Sequence, residues 1–244
     1  MSAVAGREEI TLSGPPRNTT GVVGGTGTQR VVRVELKLPG GPSIQKAYVR
    51  TGAGGEREIQ LQLPGDTPPS TYRGEAKVGE VAVPVVVHVA PVLQVWVEPQ
   101  TTLVAAEPGG RAEFQITVSN NGNVPVEIPE EVSLDLDDDR GQDQALGRAL
   151  RARLKEGEHR VDRFFEELRQ SHGGQGRVAV LEGAGPLDAG AARALSCRLE
   201  VPMTAQPGRS YSGGWDIGNG GHQLVVEVKK PASGTPRSRR RKTP

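Results

Sequence analysis

Apolar and polar residues alternate along most of the chain in short runs. The two clearest runs are Val81, Val83, Val85, Val87 and Val89, and later Leu224, Val226 and Val228. Alternation with a period of two places one face of a β-strand in a core and the other in water. Pro-Gly and Asn-Gly pairs, which are typical of turns, lie between the runs. The pattern therefore predicts an all-β chain built from short strands.

The pattern occurs twice along the chain. Pro68, Tyr72, Gly74 and Gly79 have the same spacing as Pro207, Tyr211, Gly213 and Gly218. Upstream of these residues, the alternating run 59–63 matches 197–201, and the run 32–38 is matched with 112–118. Each copy has roughly seven short strands in about 90 residues, which is the size of a β-sandwich. We therefore predict two tandem all-β domains, at 1–92 and 93–231.

A known class of domains has the same frame of a turn, Tyr-x-Gly, a Gly turn and a Val-rich last strand ending in Pro. This frame resembles bacterial immunoglobulin-like domains. The opening of the second copy, VEPQTTLVAAEPGGRAEFQITVSNNGNVPVEI, resembles the first strands of such domains. The resemblance implies two tandem immunoglobulin-like β-sandwiches. It also implies an appended interaction or spacer module, usually in an extracellular context.

A helix-like insertion interrupts the second copy at about 137–174. Its apolar residues recur at spacings of three and four and form one stripe. They are Leu146, Leu150, Leu154, Val161, Phe164, Phe165 and Leu168. The acidic residues of DLDDD suit the helix start, His172 and the glycines after it suit its end, and Gly157 bends or splits the helix. Two interpretations stay open: the stripe packs on the sandwich as a brace, or Phe164, Phe165 and Leu168 contact a partner or a second copy.

The motifs that could carry chemistry are incomplete. GVVGGTGTQR at 21–30 lacks the Lys-Ser/Thr of a phosphate-binding loop, and a strand pattern follows it instead of a helix. DLDDDRGQDQAL at 135–146 begins like a calcium loop. However, Arg140 stands where Gly is needed, and Leu146 where a bidentate Glu is needed. The four histidines have no ligand spacing. We predict a non-enzymatic protein without a cofactor, a metal site or a small-molecule substrate.

Three single residues carry further expectations. Cys197 is the only cysteine, which excludes an internal disulfide, and its place in an alternating run predicts a buried side chain. Trp215 shares a strand face with Tyr211 and is predicted to fill the core. Trp96 points away from the face of its apolar neighbours. It is either a contact between the domains or an exposed partner-binding residue.

Charge is concentrated at the C-terminal end. The formal net charge is +1, so the body has no electrostatic reason to bind nucleic acid or a membrane. The tail 232–244 has the composition of a disordered segment. Its cations predict weak, salt-sensitive polyanion binding; they are Arg237, Arg239, Arg240, Arg241 and Lys242.

The sequence favours binding or assembly within a larger structure. The N-terminus has no signal-peptide pattern and the chain has no apolar run that could span a membrane, which predicts a cytoplasmic or particle-associated protein. The partner is predicted to be another protein or a second copy. One alternative is a virion decoration or capsid-associated protein, which fits the lack of a signal peptide and of disulfides. The other is an adhesion or carbohydrate-associated spacer module, which fits the resemblance.

Overall fold

The computed structural model describes residues 9–23, 31–38, 41–51, 57–78, 81–138 and 141–230. Most of these residues lie in β-strands that form two groups, here called the first and the second β-unit. Most of the Gly-rich stretch 21–30 lies outside the described residues.

The first β-unit is a ring of antiparallel strands that one parallel pair closes. Its elements are β1 (Ile10–Gly14), a 3₁₀ helix (Pro16–Asn18), β2 (Thr19–Val23), β3 (Val31–Leu38), β4 (Gly41–Thr51), β5 (Arg57–Leu61), β6 (Ser70–Val78) and β7 (Val81–Val89). The order around the ring is β1-β2-β5-β4-β3-β6-β7. β1 is antiparallel to β2 and parallel to β7, and this second pairing closes the barrel.

The second β-unit is an eight-stranded sheet with a small additional strand pair. Its strands are β8 (Val95–Glu98), β9 (Thr101–Ala106), β10 (Arg111–Asn120), β11 (Val126–Ile128), β12 (Glu131–Asp137), β13 (His172–Glu182), β14 (Gly185–Leu187), β15 (Ala192–Glu200), β16 (Ser210–Ile217) and β17 (Gly220–Val228). The order is β8-β10-β15-β13-β12-β16-β17-β9, and β11 pairs with β14. Two helices, α1 (Gly141–Arg151) and α2 (Arg160–Ser171), lie between β12 and β13.

Both units join their strands in the same order. In the first unit, the first strand pairs with both the second and the last strand. In the second unit, two strands share the role of this first strand. β8 pairs with β10, the second strand, and β9 pairs with β17, the last strand. Between these ends the order is second, fifth, fourth, third, sixth and seventh strand in both units. This order is that of immunoglobulin-like folds, and it confirms the resemblance.

One part of the sequence match is wrong. The run 32–38 forms β3, the third strand of its unit, whereas 112–118 lies in β10, the second strand of its unit. Both strands alternate apolar and polar residues and end at a turn, so periodicity could not tell them apart. The other matches are right, because 59–63 and 197–201 contribute the fifth strands, and the two tyrosines open the sixth strands.

Each unit has its own cluster of buried apolar side chains. The first cluster draws on β1, β3, β4, β5, β6 and β7, and it includes Leu12, Val34, Leu61 and Val87. The second includes Trp215 and Cys197, which confirms both predictions of burial. Burial raises the pKa of the Cys197 thiol to about 11, so this thiol is protonated and unreactive at neutral pH.

In both units the hydroxyl of the matched tyrosine bonds to a backbone group four or five residues upstream, as donor in one and as acceptor in the other. The Tyr72 hydroxyl donates a hydrogen bond to the Pro68 carbonyl oxygen at 2.7 Å. The Tyr211 hydroxyl accepts one from the Gln206 backbone N–H at 3.2 Å. Each bond ties the start of the sixth strand to the preceding turn, an arrangement known from immunoglobulin-like sandwiches as a tyrosine corner. The corner explains why both copies keep a tyrosine at the same spacing.

His222 is buried in the core of the second unit and is 3% exposed. Its ring stacks on Phe114 and meets the edge of Trp215, with centroid distances of 6.1 and 6.5 Å. Nδ1 lies 2.8 Å from the Pro99 carbonyl oxygen. Because a carbonyl oxygen only accepts, Nδ1 carries the ring proton and donates a hydrogen bond to it. The residue therefore fits its site as a neutral imidazole.

The free energy of unfolding is expected to fall as the pH drops below about 6.5, the ordinary pKa of histidine. Burial lowers the pKa of His222, against the opposing effect of the Pro99 carbonyl. The unfolded chain therefore binds the proton first, and stability is lost from pH 6.5 down to the lowered pKa. Urea unfolding at several pH values measures this slope. We expect His222→Phe to remove the slope, whereas His88→Gln, at an exposed position, should keep it. An equal slope in both variants would contradict the assignment.

Candidate interaction surface

α1 and α2 form an antiparallel pair, here called the helical hairpin. The start of α1 faces the end of α2, because a Cβ on Gly141 would lie 3.1 Å from Ser171 Oγ. The end of α1 faces the start of α2, where Arg160 Nη1 donates to the carbonyl oxygens of Ala149 and Leu150 at 2.9 and 2.7 Å. Gly157, with φ of +82°, lies in the connection between the helices. The segment between β12 and β13 therefore contains two helices, and Gly157 stands where a left-handed backbone favours glycine.

The inner face of the hairpin is made of small and polar side chains. Among the helix residues whose burial the structure describes, the buried ones are Ala145, Ala149, Glu167 and Ser171. Within the described residues, neither helix contributes a side chain to the apolar cluster of the second unit. The helices therefore pack mainly on each other instead of extending the apolar core of the second unit.

Polar contacts attach the hairpin to the second unit. Arg209, in the loop before β16, donates to the backbone oxygen of Gln170 at 3.1 Å and to its side-chain oxygen at 3.3 Å. The Asp138 backbone N–H donates to the Ser171 carbonyl oxygen at 3.0 Å, which ties the end of β12 to the end of α2. These bonds fix the base of the hairpin against the sheet.

Glu167 stands at the centre of a buried charge cluster. Its Oε1 is 2.6 Å from Arg163 Nη2 on the same helix. Its Oε2 is 3.8 Å from Arg148 of α1 and 3.8 Å from Arg209 of the second unit. One carboxylate therefore links both helices and the sheet. Sequence analysis missed Glu167, because an acidic residue four positions after an arginine is the usual pattern of an exposed helical ion pair.

The apolar stripe predicted from the sequence is largely exposed. Leu146, Leu150, Val161 and Phe165 are between 50% and 62% exposed. Leu154, Phe164 and Leu168 are half-buried. The interpretation in which the stripe packs on the sandwich is therefore wrong for the four exposed residues. The physical reason is that the helix–helix contact buries the faces of Ala145, Ala149 and Glu167 instead.

The acidic residues that the sequence predicts at a helix start lie on a strand instead. Asp135 and Asp137 are exposed residues of β12. Asp137 Oδ1 lies 2.8 Å from His172 Nδ1. Asp139 and Arg140 lie outside the described residues. Within the described part of the chain, no three His, Cys, Asp or Glu side chains are grouped so that they could hold a metal ion.

Trp96 is a separate exposed residue on the second unit. It lies on β8 opposite Ser119 and is 49% exposed. Its indole Nε1 donates to Glu98 Oε1 at 3.1 Å. The side chain is therefore half exposed and bonded to a residue of its own strand, and its role in partner binding stays a prediction.

The remaining predicted contacts lie in the C-terminal tail. Residues 231–244 are outside the described residues, so polyanion binding by the tail arginines and Lys242 stays a prediction. In the residues that the structure covers, no helix combines the length and the apolar character needed to span a membrane.

Solved structures with similar folds include immunoglobulin-like domains. The chain is similar to a titin A168–A169 structure at 13% identity, covering 92% of this chain and 97% of that one, with a TM-score of 0.33. It is similar to domains 4 and 5 of the S-layer protein SbsC at 13% identity, covering 83% and 100%, with a TM-score of 0.31. It is also similar to the adhesin InvE of Yersinia pseudotuberculosis at 10% identity, covering 89% and 56%, with a TM-score of 0.27.

The strand order and the two tyrosine corners define the fold of the chain. The chain matches no family model and no curated protein. Its fold is immunoglobulin-like.

Proposed function

We propose that this chain is a non-enzymatic interaction module. It consists of two tandem immunoglobulin-like domains, at 1–92 and 93–231, and the second carries the helical hairpin as an insertion. The hairpin contacts a protein partner or a second copy of the chain through its exposed apolar side chains. The observation that supports this proposal most is the exposure of Phe165, Val161, Leu146 and Leu150 on an element outside the apolar core.

Burial does not account for these side chains. Single exposed apolar residues are normal on a protein surface, but groups of them mark interaction sites. Val161 and Phe165 are four residues apart on α2, and Leu146 and Leu150 are four apart on α1, so each pair shares one helix face. Leu168 extends the face of α2. Apolar residues at this spacing are the anchors by which helices bind protein grooves.

Serine replacements test the proposal. Val161→Ser with Phe165→Ser should abolish capture of the partner by the full-length tagged chain, or dissociate the self-complex if the partner is a second copy. Capture from the native source is read by mass spectrometry, and self-association by light scattering. The mass spectrum also separates a particle protein from a cell-surface protein as the partner.

The matched control is Leu103→Ser with Met203→Ser, which removes two exposed apolar side chains from the second unit outside the hairpin. This control should capture the same protein as the unchanged chain. Equal capture by the hairpin variant would contradict the proposal. Unfolding of the second unit by the hairpin variant, seen in circular dichroism, would show that the exposed face is structural and would also contradict it.

A further inference from the structure

The outward face of β4, β3 and β6 carries rows of like charge. Strand register places Lys46 opposite Arg33, and Arg33 opposite Lys77. One step along, Glu35 lies opposite Glu75. All five side chains are exposed, because their neighbours in the sequence alternate into the barrel interior. This surface, here called the basic face, therefore has a row of three cations across the strands and, next to it, a row of two carboxylates.

A third row follows the carboxylates. Lys37 and Arg73 line a shallow depression of about 340 Å³ together with Glu35, Gly74 and Glu75. Gly74 is required there, because a Cβ would lie 1.9 Å from the Glu35 carbonyl oxygen. Gly74 lets β6 approach β3 closely at this point, between the exposed side chains of Arg73 and Glu75. Along the strands the face therefore alternates positive, negative and positive.

The second unit arranges its cross-strand charges in the opposite way. Arg111 lies opposite Glu200, and Glu113 lies opposite Arg198, with ion-pair distances of 2.8 Å in both cases. Like charges directly opposite each other in a sheet destabilise it, whereas opposite charges stabilise it. Within the described part of the chain, no ion pair involves a cation of the basic face. Folding alone thus does not explain the like-charged rows.

Two exposed apolar side chains adjoin the row of three cations. Val31 lies opposite Tyr48, one step beyond Arg33 and Lys46. Val31 is 50% exposed and Tyr48 is 43% exposed. A second depression of about 340 Å³ is lined by Val31, Val32, Arg33 and Lys46. Tyrosine and arginine at one spot, with apolar surface beside them, are the composition of binding hot spots.

We propose that the basic face is a docking surface for an acidic protein segment. The segment runs along the strands, so that an apolar side chain packs on Val31 and Tyr48 and a carboxylate lies over the row of Lys46, Arg33 and Lys77. Side chains on one side of an extended segment repeat about every 7 Å, which matches the step between rows.

The carboxylates of Glu35 and Glu75 select for this kind of partner. They oppose a polyanion whose charges are evenly and closely spaced, such as nucleic acid. An acidic protein segment can instead place a basic or neutral side chain over this row. The basic face belongs to the first unit, so the surface is independent of the helical hairpin.

The probe is a short fluorescent peptide, Phe-Thr-Glu-Thr-Lys-Thr-Glu, titrated against the full chain by anisotropy. Its alternate residues match, in order, the apolar pair, the row of three cations, the row of two carboxylates and the last row of cations. We expect saturable binding that weakens with added salt. Arg33→Glu with Lys46→Glu should lower the affinity by about tenfold or more. Lys229→Glu with Lys230→Glu, which changes the net charge equally in the second unit, should leave the affinity unchanged.

A stability measurement keeps the test decisive. Glu at position 33 would stand between Lys46 and Lys77, so Arg33→Glu alone should not lower the melting temperature. If the double variant does not fold, Lys77→Glu alone replaces it, with the same loss of affinity expected. Absence of binding, equal loss in the control pair, or tighter binding of a single-stranded oligonucleotide or a sulfated oligosaccharide would overturn the proposal.

Discussion

Asn123→Ala is expected to uncouple the unfolding of the two β-units. The side chain of Asn123 is 2% exposed. Its Nδ2 donates to the carbonyl oxygens of Thr67 and Ala90 in the first unit, at 2.9 and 3.0 Å. Its Oδ1 accepts from the Val92 backbone N–H in the connection, at 2.6 Å. One buried amide therefore joins the turn before β6, the end of β7 and the connecting segment to the second unit.

Alanine would leave three backbone groups at this junction without their partner. A buried polar group without a hydrogen bond costs about 1–3 kcal/mol, so the total loss is expected to be about 3 kcal/mol or more. Because these bonds run between the units, we expect the loss to appear in their coupling. In calorimetry we expect one heat-absorption peak for the unchanged chain and two peaks for Asn123→Ala.

Asn121→Ala is the matched control for this experiment. Asn121 lies in the same turn, its side chain is exposed, and its contact with Gln94 is made by the backbone N–H. This variant should keep the single peak. Asn123→Asp should act like the alanine variant, because a carboxylate cannot donate to the two carbonyl oxygens. A single unchanged transition in both Asn123 variants would show that the amide does not couple the units.

Glu167→Ala is expected to melt the helical hairpin and leave the sheet folded. The change removes the one carboxylate that Arg148, Arg163 and Arg209 share. Removing one partner of a fully buried ion pair costs about 3 kcal/mol or more, and partial exposure of the arginines reduces the expected loss here to about 1–2 kcal/mol. The hairpin adds no side chain to the apolar cluster within the described residues, so the cost falls on the hairpin itself.

Hydrogen exchange measures this effect residue by residue. Amides of α1 and α2 should lose protection in Glu167→Ala, whereas amides of β10 and β15 should keep it. Glu166→Ala is the control, because Glu166 is the neighbouring residue and pairs with Arg169 on the solvent side. Loss of protection throughout the second unit would mean that the hairpin is part of its cooperative core. Unchanged protection would mean that the charge cluster contributes little.

Periodicity predicted the fold but not the pairing of strands. Alternation identifies the buried face of a strand, and it placed Trp215, Cys197 and Tyr211 in the core correctly. It says nothing about which strand is the neighbour, so β3 was matched with β10. The rows of like charge on the basic face depend on register, which is a property of two strands and cannot be seen in either one alone.

Buried polar residues were harder to predict from the sequence than buried apolar residues. Asn120 and Asn123 looked like ordinary turn residues, yet both are buried and their amides bond to distant backbone groups. Glu166 and Glu167 are neighbours with the same chemistry, and only the packing of α1 on α2 decides which one is buried. Polar burial follows from tertiary contacts, and no local pattern reports these contacts.

The parallel pairing of β1 with β7 has a mechanical consequence. Five residue pairs, from Ile10 with Val85 to Gly14 with Val89, join the first strand of the unit to its last. In a parallel pair, the N-terminal end of one strand and the C-terminal end of the other lie at opposite ends of the ladder. Tension applied through the chain termini therefore pulls the two strands past each other and loads all ladder bonds together in shear. β9 and β17 repeat this arrangement over six residue pairs. Each unit therefore has a parallel strand pair whose hydrogen bonds resist a pulling force in shear.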